Sequence, residues 1–275
     1  MSSAEGLPET GRLQFDEPAP GVARLTIANP TKRGALDHAI LDAFVELIPR
    51  LDQRCLIITG QERIFSAGYD LVSAGADLAD VDEASFAEQA EGLIAHPFTA
   101  AIEAVQGFPY PTLAVLNGHA IGGGLELAVC CDLRLAAAGV RVGMPPAHLG
   151  LVYSHTGIRR FIETVGAART RELFLTARRY DAATVAGWGL INEVVEPAEL
   201  EATSVALARE IASLAPLAQR GNKHVIDAVL AAAWESDPTR EAELVALRRA
   251  CFSSADFREG VSAFTQKRSP AWHGR

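Results

Sequence analysis

The sequence predicts an α/β protein, a layered core in which short strands alternate with helices, followed by a region of helices only. Three observations carry this reading. From about residue 22, β-rich runs alternate with runs of helical periodicity. The alternation stops near Pro197, and beyond it come long amphipathic runs with no strand-like segment between them. The chain has 275 residues and is 49% hydrophobic, enough for a sizeable core in one large domain or a domain with an appendage. The expected division is therefore a core over residues 1–197, in which roughly the first 12 residues are a frayed leader, and a helical C-terminal region over residues 198–275.

The N-terminal stretch MSSAEGLPETGRLQFDEPAPG is polar and rich in Pro and Gly, without the basic start and apolar middle of a secretory signal. The first strand is expected in VARLTIANP, where Val22, Leu25 and Ile27 are apolar and Asn29-Pro30 ends the run as a turn. A helix follows in ALDHAILDAFVELIPRLD. There Leu36, Ile40, Leu41, Phe44, Leu47 and Ile48 recur at three- and four-residue spacing and define one buried face. CLIITG reads as a short buried strand ended by glycine, and a helix is expected around Ala84 to Val105. Then come the strand TLAVLNG, a helix led by glycines, the strand DLRLAAAG and a further strand at RVGMP. The units differ too much to count as a sequence repeat. In the tail, ELEATSVALAREIASLA, PLAQRGNKHVIDAVLAAAWES and TREAELVALRRACFSS are helical, and their apolar faces must be covered by the core or by another subunit.

No apolar run reaches the roughly 18 residues of a membrane span, so a soluble, cytoplasmic protein without a membrane partner is expected. A formal net charge of -9 argues against a nucleic-acid partner, because that binding needs basic patches to displace counterions. An anionic ligand would need a local basic rim, for which Lys32 with Arg33 and Lys267 with Arg268 are candidates beside their simpler reading as solvated surface charge. Cys55, Cys130, Cys131 and Cys251 form no CxxC pair and have no histidines at metal-ligand spacing, so neither zinc nor a disulfide framework is expected. Cys130 and Cys131 read as small core residues.

Two glycine-bearing turns stand out, IFSAGYDL at Ile64 to Leu71 and NGHAIGGGLEL at Asn117 to Leu127. Glycine lets a backbone turn tightly and lets a ligand approach peptide groups. A helix start also offers N–H groups that lack internal partners. Two such turns side by side would present converging donors, which is what a developing oxyanion requires, whereas either turn alone is better read as a tight turn or close helix packing. The triple glycine is not G-x-G-x-x-G, so a dinucleotide cofactor is not indicated. Glu126 sits among apolar neighbours in GGGLELAVCC, where desolvation would raise its proton affinity; capping its own helix is the plainer alternative.

FSAGYDL followed by NGHAIGGGLELAVCCDLRLAA resembles the enoyl-CoA hydratase/isomerase (crotonase) family, and the likeness extends through ANPTKRGALD, TARRYDAATVAGWGLINEVV and FREGVSAFTQKRSPAW. The resemblance implies a crotonase-like spiral of ββα units with a helical C-terminal trimerisation region, assembled as a homotrimer or homohexamer. It also implies an acyl-CoA thioester as the small-molecule substrate, in metabolism of the fatty-acid type, with no cofactor and no metal. The thioester oxygen would lie between the backbone N–H groups of Tyr69 and Gly123, with Glu126 as the catalytic carboxylate. Ser66, Gly68, Asp70 and Gly122 would shape the CoA-binding loop, and Arg33 and Ala35 would approach the pantetheine and phosphates. Phe264 and Lys267 match positions that can approach the CoA nucleotide of a neighbouring subunit.

Hydratases of this family use a second glutamate on the far side of the substrate, and in VGMPPAHLG that position is Pro146. Proline cannot transfer a proton, so two-group water addition cannot run unaltered. The expected activity is an enoyl-CoA hydratase-like lyase in which Glu126 alone holds the water, or in which His148, His155 or Tyr153 supplies the missing donor. The alternatives are a decarboxylase or isomerase on the same scaffold, or a non-catalytic CoA-binding protein. Decarboxylases of the family resemble MPPAHLGLVYSHTGI in lacking the second glutamate and in carrying a tyrosine near Tyr153. Gly34 stands where the family more often has asparagine and is expected to affect only the entry of the first helix.

Overall fold

The structure, a computed structural model, describes residues 12–70, 89, 96–233 and 238–273. Its first two strands, β1 (Leu13–Ala19) and β2 (Val22–Ile27), form an antiparallel hairpin. β1 falls in a stretch where the sequence shows no strand periodicity. It is an edge strand whose middle residues are exposed or half-buried, so only Leu13 and Ala19 are buried. Beyond β2 the chain builds the same unit repeatedly. β3 (Cys55–Gly60) is followed after a short turn by β4 (Ile64–Ser66), β5 (Thr112–Leu116) by β6 (His119–Ile121), and β7 (Leu133–Ala137) by β8 (Arg141–Gly143). The first strand of each pair joins a six-stranded sheet ordered β1-β2-β3-β5-β7-β10, where β10 is Glu193–Val195. The second joins a four-stranded sheet ordered β4-β6-β8-β9, where β9 is Arg179–Asp181. β2, β3, β5, β7 and β10 are mutually parallel, as are β4, β6 and β8. Each unit therefore advances both sheets by one strand, and the chain winds as the expected spiral. β4 and β6 have three residues each, too short for alternation to show in the sequence.

The helix between β2 and β3, α1 (His38–Leu47), starts at Asp37, whose side chain accepts from the Ile40 N–H at 3.1 Å. Ile40, Leu41, Phe44 and Leu47 are buried as their spacing requires. α2 (His96–Gln106) supplies the described part of the helix expected around Ala84 to Val105, the rest of which lies outside the described residues. α3 (Gly123–Val129), α4 (His155–Thr176) and α5 (Ala182–Ala186) complete the units.

From Leu200 onward only helices follow: α6 (Leu200–Ser213), α7 (Pro216–Ala232), α8 (Pro238–Phe252) and α9 (Ala255–Gln266). α6 lies on the large sheet, burying Leu200, Ala208, Ile211 and Ala212, with Glu201 2.5 Å from the guanidinium of Arg24 on β2. α7 buries none of its residues and exposes Leu217, Val225, Ile226 and Val229. α9 returns to the core, burying Phe257, Gly260 and Ala263, with Gly260 packed against the Leu149 backbone. Cys55, Cys130 and Cys131 are buried and Cys251 is half-buried, all as free thiols. No described helix is long and apolar enough to cross a membrane.

Candidate active site

The three glycines of the second turn are required for three different reasons. Gly122 has φ 56° and ψ -126°, a backbone conformation for glycine alone, although a side chain there would meet nothing within 4 Å. Gly123 opens α3, so its N–H has no acceptor one turn back in the helix. A Cβ on it would come within 3.1 Å of the Phe98 ring and 3.4 Å of the Tyr69 nitrogen. Gly124 lies against the other turn, where a Cβ would be 2.5 Å from the Ser66 carbonyl oxygen. In that first turn the Ser66 hydroxyl donates to the Gly34 carbonyl at 2.7 Å and accepts from the Gly68 N–H at 3.1 Å. Gly68 has φ 93°, and a Cβ there would be 3.1 Å from the Gly123 nitrogen. The two turns therefore interdigitate and bring the amides of Tyr69 and Gly123 next to each other. The Tyr69 hydroxyl lies 2.6 Å from His38 Nε2. Its main chain is held by Leu36, whose N–H donates to the Gly68 carbonyl at 2.8 Å and whose carbonyl accepts from the Asp70 N–H at 3.1 Å.

Glu126, one turn into α3, is 2% exposed. Arg160 on α4 donates to its Oε1 from Nη1 at 2.9 Å, and the Tyr153 hydroxyl donates to its Oε2. The same guanidinium is anchored on Gln106 Oε1, by Nε at 3.1 Å and Nη2 at 2.8 Å. Gly157, in the first turn of α4, makes room for this cluster; a Cβ there would be 2.7 Å from Tyr153 Cε1 and 2.8 Å from Glu126 Oε1. Burial pushes the Glu126 carboxyl above its ordinary value, and the Tyr153 hydrogen bond and the charges of Arg160 and Arg248 pull back only part of that rise. Tyr153 is pushed well above the ordinary phenol value by burial and by the neighbouring carboxylate. Buried Arg134 donates from Nη1 to the Cys131 carbonyl at 2.6 Å and from Nε to the Leu190 carbonyl at 2.6 Å, placing a positive charge at the C-terminal end of α3.

Tyr69, Gly123, Glu126, Tyr153, Arg160 and Arg248 face a cavity of about 730 Å³. Of the residues singled out in the sequence, Arg33, Gly68, Tyr69, Gly122, Gly123, Glu126, Pro146, His148, Tyr153 and Phe264 line it. The others lie elsewhere. Ala35 and Ser66 are buried under the first turn, and Asp70 is buried with Lys32 Nζ 2.6 Å from its Oδ2. His155 has Nε2 3.8 Å from Glu241 and does not line the cavity, and Lys267 caps the C-terminus of α9 with φ 54°. Phe264 borders the cavity of its own chain, besides the neighbouring-subunit contact that its position suggested.

Glu126 is the one carboxylate among the described residues lining the cavity, against the five arginines Arg33, Arg63, Arg160, Arg179 and Arg248. In a chain of net charge -9 this is a local reversal of sign suited to an anionic ligand. Gln106, Gly157, Arg160 and Arg248 were not legible as site residues, since each stands in an ordinary helical context. Among the described residues no cluster of three or more His, Cys, Asp or Glu side chains is arranged to hold a metal ion.

The sequence profile described as Enoyl-CoA hydratase/isomerase matches residues 17–275. The chain is 30% identical to mouse (Mus musculus) enoyl-CoA hydratase domain-containing protein 2, mitochondrial, over 98% of this chain and 90% of that one. It is 31% identical to the short-chain-enoyl-CoA hydratase of Clostridium acetobutylicum, over 90% and 92%. Among solved structures it is similar to methylmalonyl-CoA decarboxylase in complex with 2-nitronate-propionyl-CoA, with a TM-score of 0.84 and 26% identity over 96% of this chain and 99% of that one.

Proposed function

The chain belongs to the enoyl-CoA hydratase/isomerase family of acyl-CoA enzymes, and from that membership we propose that it decarboxylates a malonyl-type (2-carboxyacyl) CoA thioester. The observation that carries this reading is that Glu126, the one carboxylate among the described cavity residues, is already engaged on both oxygens; Pro146, which also lines the cavity, holds the position where the family resemblance expects the second acid. Hydration needs groups that hold a water and handle a proton on each side of the double bond. Decarboxylation needs an electron sink and one proton donor.

The bond from Cα to the carboxylate breaks, CO2 leaves, and the electron pair moves into the thioester carbonyl to give an enolate. Its oxygen is held by the N–H groups of Tyr69 and Gly123, each donor of this kind being worth about 3 kcal/mol of transition-state stabilisation. The enolate then collapses and Cα takes a proton from Tyr153, which is replaced from the carboxyl of Glu126. Tyr153 therefore never rests as a phenolate beside an anion. One proton is consumed and is restored to Glu126 from solvent. The arginines at the cavity rim, Arg33 among them, meet the CoA phosphates.

A second reading is supported by the likeness to the short-chain-enoyl-CoA hydratase: addition of water to a 2-enoyl-CoA with Glu126 as the single acid/base group. Incubation with malonyl-type and trans-2-enoyl thioesters in deuterated water, followed by mass analysis, separates the two. Loss of CO2 with one deuterium at Cα is expected. Hydrated product alone would replace this reading with the second, and binding without product would leave a CoA-binding protein. The proposal includes a cytoplasmic homotrimer or homohexamer. The exposed apolar residues of α7 would be covered in it, and light scattering of the native protein tests the assembly.

A further inference from the structure

The cluster around Glu126 has a polarity that the reaction alone does not require. Oε1 accepts from Arg160, whose guanidinium has no lone pair and is doubly anchored on Gln106 at the end of α2. Oε2 faces the Tyr153 hydroxyl. A carboxyl proton placed on Oε1 would point at an N–H donor, so the two oxygens are not equivalent. Arg160 also borders a second, polar cavity of about 460 Å³, in whose wall Gln106 stands; Arg160 and Thr156 line both spaces.

We propose that Arg160 is a positioning residue: anchored on Gln106 and donating to Oε1, it confines the exchangeable proton of Glu126 to Oε2 and so directs proton transfer toward Tyr153 and the reacting carbon. The inference rests on the proton-donor role proposed above for the Glu126–Tyr153 pair. The groups facing this carboxyl are Tyr153 from the loop before α4, Arg160 on α4, Arg248 on α8 and Cys130 after the end of α3. Among the described residues, Arg160 is the donor whose hydrogen bond reaches Oε1, the oxygen that Tyr153 does not hold. An arginine fork can hold Gln106 and Glu126 together, whereas a lysine offers charge without the fork.

The test is infrared titration of the Glu126 carboxyl in the full-length protein, identified by its disappearance in Glu126→Gln, together with the pH profile of kcat/KM. In Arg160→Gln the titration midpoint is expected to rise by about one unit or more, because a cation in contact with the carboxylate is lost. Arg160→Lys is expected to restore most of the midpoint while kcat stays down by about tenfold with little change in KM. A folded Arg160→Gln protein with the wild-type midpoint overturns the proposal. If that variant does not fold, Gln106→Leu carries the test: release of the guanidinium should move the midpoint upward in part, and an unmoved midpoint and pH profile overturn the proposal. A midpoint that moves in a protein that never decarboxylates defeats the reading of the reaction alone; decarboxylation with an unmoved midpoint defeats the positioning role alone.

Discussion

Replacing Gly157 by alanine sets two effects of opposite sign against each other. Gly157 lies in the first turn of α4, after Ser154, whose hydroxyl accepts from the Gly157 N–H at 3.1 Å. Helix propensity alone favours alanine there by about 0.8–1 kcal/mol. The new methyl, however, would lie 2.7 Å from Tyr153 Cε1 and 2.8 Å from both Glu126 Oε1 and Ser154 Oγ. Each of these neighbours must give by roughly half an ångström or more to reach ordinary contact. Overpacking of this kind costs about 1–3 kcal/mol, so the net expectation is a loss of about 1 kcal/mol and a Tm lower by a few degrees. Catalysis should suffer more. The methyl displaces the carboxylate and the phenol that line the cavity, and a displacement of that order costs up to about a hundredfold in kcat/KM. Thermal unfolding and steady-state assay on the malonyl-type thioester found active for the wild type measure both. A Gly157→Ala protein with raised Tm and unchanged kcat/KM would refute the claim that the glycine exists to seat Glu126 and Tyr153.

Three further expectations follow from the same geometry. Gly124→Ala places a methyl 2.5 Å from the Ser66 carbonyl oxygen, which is backbone and cannot swing aside, so acyl-CoA affinity by calorimetry should drop sharply and stability by about 1–3 kcal/mol; wild-type affinity would contradict the interdigitated turns. Because burial raises the folded-state pKa of Glu126 above 4.5, the folded protein binds this proton more tightly than the unfolded chain. The associated stability is full below about 4.5 and is lost as pH rises through the folded value. Glu126→Gln should therefore gain on the wild type in chemical denaturation as pH rises across that window, and a pH-independent difference would show that burial does not dominate. Finally, Cys55 is pushed up to about 12 and Cys130 well above its ordinary value, both by burial. Alkylation near pH 8 should leave them unmodified until the protein unfolds, and rapid labelling of either would place it at the surface.

The parts of this fold that announce themselves in the sequence are those governed by neighbours along the chain. The face of α1 is written in the spacing of Ile40, Leu41, Phe44 and Leu47, and β3 and β5 are written as short, mainly apolar runs between turn residues. The glycine turns are legible for the same reason, since Gly122 answers a local backbone demand. What the sequence hides is set by distance along the chain. Arg160 reaches Glu126 from α4 and is held there by Gln106 at the end of α2, and in sequence each looks like any polar residue on a helix. Gly157 looks like a residue after a helix cap, and its purpose appears only when α3 and α4 are in contact. His155 shows the converse. Its neighbours in sequence include Tyr153, yet the start of α4 turns its ring toward Glu241 and away from the cavity.

Arg134 gives α3 a property that a helix of seven residues would not have alone. So short a helix has little stability of its own and depends on the contacts that bury it and on those at its two ends. One end carries the Gly123 amide and the other is tied through Arg134 to the Cys131 and Leu190 carbonyls. If a thioester oxygen accepts from Gly123 as proposed, hydrogen exchange at the distant amides of α3 is expected to slow on binding, and loosening of the Arg134 contacts is expected to weaken that ligand by the same free energy.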